Sequence, residues 1–474
     1  MQRPLCVDLD GTLILTDSLY ESLLFLFKKN IFLLFRAFYI LALRGKSHFK
    51  AYVSDHAVLD PKFLPYNKAL IDWLRHEKST GRPLFLVTAG FEKTAHSIAS
   101  YLDLFDGVWG STLELNLKGV NKAQLLQQKF GINQYDYVGD HGADLPVWKN
   151  AENSIVVNAS AHTLKKVVGI AKVSKIFPRK PFTLHDFFKV IRVHQYVKNL
   201  LIFVPIILAQ QFFNTVVVEK TFLGFVSFCF LASSVYVLND LLDLDSDRQH
   251  VNKSRRALAS GSLSIPLGLL ITVLFFVIAW VFAAQLPLKF CLVLAIYYAL
   301  SFCYSFYLKS IILVDVCVLA GLYTIRILAG MILLPVASSG WIVEFSVFIF
   351  LSLAFVKRYA ELKCKKDQGE LKATGRGYHV EHINLILVFG IASGYISALI
   401  MALYLNSPQA LVYYTRPEFL WIICPLLVYW ISRIWLFASE GKMHDDPIIF
   451  ALKDGASYII ACLIILSGLL AKYI

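Results

Sequence analysis

From Phe182 onward the chain repeats one pattern, in which long apolar runs are separated by short polar and basic stretches. Nine candidate spans follow, at about 199–213, 220–239, 264–284, 288–308, 311–333, 341–357, 383–404, 418–437 and 455–474. Most reach the ~20 residues that an α-helix needs to cross ~30 Å of hydrocarbon; the first is short. Residues 183–474 are therefore expected to form an all-α bundle of nine transmembrane helices. Ahead of them the pattern changes. "PLCVDLD", "RPLFLVTAG" and "YDYVGDHGAD" are short apolar runs ending in polar side chains, as buried parallel strands do. Residues 1–165 thus predict a soluble α/β domain, and open α/β sheets place ligands at such strand ends. Residues 166–182, "KVVGIAKVSKIFPRKPF", read as a basic linker.

Composition supports the membrane reading, with 57% hydrophobic and 17% charged residues against roughly 45–50% and about 25% in soluble proteins. Charge adds an orientation. The loops after spans two, four, six and eight carry fourteen Lys and Arg residues, from Arg248 to Lys453. The opposite side carries Lys220, Lys289, Arg416 and Lys472. The positive-inside rule puts the first set and the N-terminal domain in the cytoplasm, with the bundle in a bacterial inner or plasma membrane. The net charge of +13 then reflects topology and anionic lipid, not nucleic acid. Eight scattered Cys form no CxxC pair, so neither a disulfide framework nor zinc is indicated. The start, "MQRPLCVDLDGT", has no signal-peptide pattern.

Candidate chemistry in the α/β part gathers at the strand ends. "DLDGTL" holds Asp8 and Asp10, Thr88 closes the second run, "KGVNKAQLL" supplies Lys122, and "GDHGAD" supplies Asp140 and Asp144. This set, in this order, resembles the phosphatase branch of the haloacid dehalogenase superfamily. The resemblance implies a Rossmann-like sheet with a small helical cap at about 15–80. Asp8 would attack phosphorus and Asp10 would protonate the leaving group. Thr88 and Lys122 would hold phosphoryl oxygens, and one Mg²⁺ would sit among Asp8, Asp10, Asp140 and Asp144. A carboxylate can approach a phosphate dianion only where cations screen the repulsion. A degenerate, non-catalytic relative is the other reading, although no motif residue is missing. Residues 22–46, "SLLFLFKKNIFLLFRAFYILALRGK", fall in the cap region and are broken by Lys28, Lys29 and Arg36. They predict either a helix lying on the bilayer or on the membrane domain, or a buried cap helix.

The second concentration of chemistry is "SSVYVLNDLLDLDSDRQHVNKSRR", residues 233–256. On a helix Asp240, Asp243 and Asp247 lie at i, i+3 and i+7, flanked by Asn239, while Asp245 points away. Three clustered carboxylates suit a divalent cation, and Mg²⁺ completes its shell with phosphate oxygens and water. Arg255 and Arg256 follow, so a diphosphate site is expected; a solvated acidic helix end is the plainer reading. NDxxDxxxD after the second span resembles the UbiA superfamily of intramembrane prenyltransferases. The resemblance covers 183–474 and includes "IRVHQYVKN", "YSFYLK", "KRYAEL" and "HDDPIIFALKD" in order.

Relatives acting on aromatic acceptors carry a second acidic cluster after span six, where this chain has Lys357, Arg358, Tyr359 and Glu361. With Arg192, Gln195, Lys198 and Asn199 before span one, this resembles the decaprenyl-phosphate phosphoribosyltransferase branch. That branch takes phosphoribosyl pyrophosphate as donor and polyprenyl phosphate as lipid acceptor. Arg192, Gln195 and Asn199 share a face if helical. "SRRALASG" departs from relatives in having Ala257 where Pro is usual. Tyr304 and Lys309 are substrate contacts by family position. Asp315 and Arg326 lie three turns apart in span five, and Arg326 is expected to face the lipid phosphate or pair with an acid. The expected protein is a Mg²⁺-dependent membrane transferase, with one Mg²⁺ in each domain. Its phosphatase domain would act on the transfer product. Prenyl transfer from prenyl diphosphate to a small acceptor is the alternative. A transporter is a third reading, disfavoured because no internal repeat is found.

Overall fold

The computed structural model describes residues 2–250, 252–335, 340–369, 376–408, 410, 414–443 and 447–474. The chain divides into two compact units, Met1–Ile191 with Tyr236–Val273, and Arg192–Val235 with Leu274–Ile474.

The first unit is built on six strands, β1 (Leu5–Val7), β2 (Leu84–Phe91), β3 (Gly107–Ser111), β4 (Asp136–Gly139), β5 (Ser154–Val157) and β6 (Val173–Phe177). All neighbours pair in parallel, in the order β3-β2-β1-β4-β5-β6. Period-two alternation fills both faces. Leu5, Val7, Leu86 and Val138 enter one core, and Cys6, Val87, Tyr137 and Val156 the other. Strand order reverses at β1 and β4, which puts a ligand crevice at their C-terminal ends. The α/β prediction therefore holds. The domain is longer than expected, because "VSKIF" at 173–177 pairs with β5, so the sheet extends into the stretch read as linker. Its basic side chains do not oppose a strand here: Lys175 lies over the Trp73 and Phe177 rings.

Helices α1 (Ser18–Lys29) and α2 (Ile31–His56) form a hairpin after β1, capped by Asp17 and Asn30. It packs around Leu26, Ala37, Phe49 and Val53. Gly45, at φ 80°, breaks α2. Phe32 (75%), Phe35, Tyr39 and Leu43 remain exposed, so residues 31–44 are amphipathic and not a buried cap helix. Helices α3 (Lys68–Ser79), α4 (Glu92–Leu102), α5 (Val120–Phe130), α6 (Leu145–Asn150) and α7 (Ala161–Ile170) complete the α/β part, followed by α8 (Leu184–Val190).

The second unit is helical. A 3₁₀ helix (Val193–Phe203) leads into the five-residue α9 (Val204–Leu208), with Pro205 in its first turn. Then come α10 (Thr215–Leu242), the short α11 (Leu244–Gln249), α12 (Ile265–Ala283), α13 (Leu288–Phe306), α14 (Val314–Ile332), α15 (Trp341–Asp367) and α16 (Ile383–Leu405). Parts of α10 and α12 and all of α11 belong to the first unit. Ile423–Ser439, Pro447–Lys453 and Gly455–Tyr473 are the last helices. Seven described helical stretches are long and apolar enough to cross a membrane, or eight if the broken stretch 184–208 counts. The 27-residue α15 is not among them, since it carries Glu344, Lys357 and Arg358. Exposed Leu270, Val273, Val277 and Val281 on α12 give the apolar surface that lipid requires.

Helix α14 meets the 3₁₀ stretch at Gly330, where any Cβ would lie 2.2 Å from the Ile202 carbonyl oxygen. A backbone atom cannot step aside as a side-chain tip can. Gly330→Ala should destabilise the bundle by about 1–3 kcal/mol. Thermal unfolding in detergent checks this, and an unchanged midpoint would contradict the packing.

Candidate functional site

At the crevice of the first unit, the turn after β1 carries Asp8 and Asp10, β2 carries Thr88, α5 carries Lys122, and the segment after β4 carries Asp140 and Asp144. Lys122 Nζ donates to Asp8 Oδ1 (2.8 Å), Tyr137 Oη (2.8 Å) and Asp144 Oδ1 (3.3 Å). The Tyr137 hydroxyl in turn donates to Asp144 Oδ1 at 2.9 Å. Carboxylate oxygens of Asp8, Asp140 and Asp144 lie within 4.8 Å of one another, a set able to hold one cation. Glycine is needed at position 11, where φ is +74° and a Cβ would sit 2.2 Å from Asp140 Oδ2. Asp10 faces another way: its Oδ1 accepts from the Ser18 N–H at 2.7 Å. Thr88 is fully buried and its Oγ1 accepts from the Gly90 N–H. A Cβ on Gly90 would touch both Thr88 Oγ1 and Asp10 Oδ2, so those side chains share a rim.

Burial sets the protonation of this cluster. It pushes Asp8 up to about 6 against the pull of Lys122. Asp10 rises to about 7 through burial and then Asp17. Asp140 rises to about 8 through burial, then Asp8 and Asp144. Burial also opposes the charge on Lys122, but Asp144 and Asp8 raise its pKa above the ordinary lysine value. The donor set is hard oxygen with excess negative charge, as Mg²⁺ requires. Asp8, Asp140 and Asp144 would hold that ion; Asp10, also assigned to it from sequence, lies outside the group.

The acidic helix end is less uniform than an unbroken helix predicts. Helix α10 stops at Leu242, Asp243 falls in the break at φ −89° and ψ 13°, and α11 starts at Leu244. Arg256 Nη1 bridges Asp240 Oδ1 (3.0 Å) and Asp247 Oδ2 (2.6 Å). Asp245 points elsewhere and pairs with Lys28 at 3.0 Å. Among the described residues the triplet close enough to share an ion is the one at Asp8, and Asp240 and Asp247 are instead held by Arg256. Asn239 is half-buried, Arg255 is exposed, and the Ala257 carbonyl accepts from the Leu263 N–H at 2.9 Å.

In the second unit Arg192 caps the 3₁₀ helix in a left-handed conformation, φ 53°. Three residues per turn align Gln195 with Lys198 and rotate Asn199 off that face, so the expected i, i+3, i+7 alignment does not form. Asn199 Oδ1 accepts from Arg326 Nε (2.8 Å), and Lys198 lies over the Tyr323 ring. Arg326 also donates to Tyr297 Oη (3.0 Å) and to the Leu322 carbonyl. Among the described residues its hydrogen bonds thus go to an amide, a phenol and a backbone carbonyl, and not to an acid. Asp315 is instead bound to Arg358 (2.7 Å), Tyr378 Oη (2.5 Å) and Arg376 (3.4 Å). Arg358, 0% exposed, also contacts Glu361, which Arg376 reaches at 3.3 Å. Tyr304 accepts from Arg376 at 3.3 Å; Lys309 and Lys357 are half-buried. The final signature begins at 444–446, outside the described residues.

Sequence reasoning missed Tyr137, Glu21, Arg376 and Tyr378. Tyr137 had a signal, since alternation along "YDYVGD" puts it on the same face of the strand as Gly139. The others have none, because their partners are distant in the chain.

The UbiA prenyltransferase family profile matches residues 200–453. Protein y4nM of Sinorhizobium fredii is 37% identical over 464 residues, 97% of this chain and 89% of that protein. Decaprenyl-phosphate phosphoribosyltransferase of Mycolicibacterium smegmatis is 26% identical over 276 residues, 56% of this chain and 86% of the relative. A crystal structure of phosphoserine phosphatase in apo form superposes on 41% of this chain and 99% of its own, with 15% identity and a TM-score of 0.28.

With Asp140 pushed up to about 8 and Asp8 to about 6, cation binding must displace protons from the cluster. Mg²⁺ affinity should rise as pH rises from about 6 to about 8. Calorimetry in two buffers of different ionisation enthalpy should show proton release, diminished in Asp140→Asn. Binding without proton release would contradict the pKa shifts.

Proposed function

This chain belongs to the UbiA prenyltransferase family, and we propose that it transfers phosphoribose from phosphoribosyl pyrophosphate to polyprenyl phosphate. The observation that carries this reading is the end of α15. Where aromatic prenyltransferases place a second acidic cluster, Lys357 and Arg358 stand, and Arg358 is locked onto Asp315 and Glu361. Glu361 at that end is paired with Arg358 and Arg376, which disfavours a second metal site for an allylic diphosphate there. The named Mycolicibacterium relative supports the donor assignment.

In the reaction, an oxygen of the lipid phosphate attacks the anomeric carbon. The bond from that carbon to the pyrophosphate oxygen breaks, and pyrophosphate leaves with the electron pair. Asp240, Asp243 and Asp247 would hold Mg²⁺, which supplies positive charge for the leaving group. Arg256, already at Asp240 and Asp247, is placed to turn toward a bound diphosphate, and Arg255 adds cationic charge. Arg192, Gln195, Lys198, Asn239, Tyr304 and Lys309 are assigned to substrate contacts by their places in the family's motifs. Asn199 acts by holding Arg326. An apolar cavity of about 660 Å³, lined by Leu201, Leu208, Phe345, Leu427, Trp430 and Ile464, suits part of the polyprenyl chain.

The α/β domain is a phosphatase that removes the 5-phosphate from the lipid-linked product. Asp8 Oδ attacks phosphorus, the P–O bond to ribose C5 breaks, and Asp10 gives its proton to the departing oxygen. Thr88 and Lys122 hold the phosphoryl oxygens. Water then hydrolyses the aspartyl phosphate, releasing inorganic phosphate. The excess of Lys and Arg in the loops after spans two, four, six and eight supports a cytoplasmic side for this domain.

Purified protein should be given labelled phosphoribosyl pyrophosphate with polyprenyl phosphate, or prenyl diphosphate with aromatic acids. Phosphoribosyl transfer is expected, and aromatic prenylation without it would overturn the reading. Asp243→Asn should cost orders of magnitude in transfer because it removes a ligand of the Mg²⁺ that would stabilise the leaving group. Asp245→Asn, changing an exposed pair with Lys28, should cost little.

A further inference from the structure

Within the first unit, the acidic segment 236–262 rests on the α/β domain at the loop that follows Asp10. Arg248, next to Asp247, donates through Nη2 and Nη1 to Glu21 Oε1 (2.6 Å) and Oε2 (3.2 Å). The side chains are 6% and 4% exposed. Glu21 Oε1 also accepts from Thr16 Oγ1 (2.7 Å), and Arg248 Nε donates to the Ala259 carbonyl (3.1 Å). Beside them the backbones touch: a Cβ at Gly261, φ +75°, would lie 2.5 Å from the Leu15 carbonyl oxygen. Lys28 to Asp245 adds an exposed pair.

Both ends of this contact lead to chemistry. Helix α11 has six residues, too few to be stable alone, so what it touches determines where it sits. Its Asp247 faces Arg256, and its Arg248 faces Glu21. Glu21 lies in the first turn of α1, whose first residue, Ser18, binds Asp10 through its N–H. Thr16, bonded to Glu21, returns its carbonyl to the Gly11 N–H at 3.1 Å. A fully desolvated bidentate pair tolerates loss of one partner poorly, because the other charge is left buried.

We propose that Glu21 and Arg248 are positioning residues shared by both sites, through which the phosphatase-like domain holds Asp247 in place for transfer. Neither touches substrate. The assignment rests on the transfer reading for the role of Asp247, while the contact itself is independent of it.

The test measures transfer kinetics for Glu21→Gln, Arg248→Gln, the double variant and Lys28→Ala in the full-length protein. Glu21→Gln should lower kcat about 10- to 100-fold, the cost of a small misplacement, with the KM for polyprenyl phosphate little changed. The double variant should be no worse than the poorer single one, since both break one pair. Lys28→Ala should stay within about twofold of wild type. Transfer by Glu21→Gln at the wild-type kcat would overturn the proposal. Hydrogen exchange on the unaltered protein decides the case if the variants fail to fold, or if wild type proves not to transfer phosphoribose. Amides of Leu244–Gln249 and of residues 18–21 should then open together with one common protection. Exchange of Leu244–Gln249 about tenfold or more faster than residues 18–21 would sink the coupling.

Discussion

Lys122 sits within hydrogen-bonding reach of both Asp8 and Asp144 in a nearly dry crevice, and its charge makes their burial tolerable as theirs does for it. An ion taken out of water costs several kcal/mol unless an opposite charge and hydrogen bonds meet it. The same constraint recurs wherever this chain gathers acids. Arg256 spans Asp240 and Asp247, Arg248 meets Glu21, and Arg358 with Arg376 meets Asp315 and Glu361. At Lys122 and Arg256 the compensating cation is also next to a proposed phosphate site, so on that proposal stabilising the fold and preparing for an anionic substrate are the same arrangement.

That constraint also separates what could be read in the sequence from what could not. The strand ends were legible because alternation and apolar runs mark β1, β2 and β4, and the reactive acids follow at once. The acidic turn after α10 was legible as a cluster. Its break at Asp243 was not, since nothing in "NDLLDLDSD" marks the residue where helix stops. Strand β6 was hidden by Lys172 and Lys175, whose charge suggested a linker. Lys175 is compatible with an edge strand, since its long stem lies over the Trp73 and Phe177 rings. The 3₁₀ geometry of 193–203 was likewise invisible, and with it the turning of Asn199 toward Arg326. Ion-pair partners were least legible of all, because Asp315 finds Arg358 and Arg376 only after two helices have folded together.

The arrangement gives the fusion a physical rationale. Tethering raises the effective concentration of one site's product at the other. A ribose 5-phosphate carried on a lipid cannot diffuse into bulk water, so a phosphatase acting on it gains most from being held near the bilayer. The exposed face of Phe32, Phe35, Tyr39 and Leu43, with Arg36 beside it, offers an amphipathic surface of the kind that lies at an interface. On the proposed reading, removal of the 5-phosphate would also make the two-step sequence hard to reverse.

The most direct test of that two-step account is chromatographic separation of the lipid products made by wild type and Asp8→Asn from phosphoribosyl pyrophosphate and polyprenyl phosphate. Wild type should give lipid-linked ribose lacking the 5-phosphate and release one inorganic phosphate per product, while Asp8→Asn should accumulate the 5-phosphorylated lipid. The same phosphorylated lipid from both proteins would contradict the account.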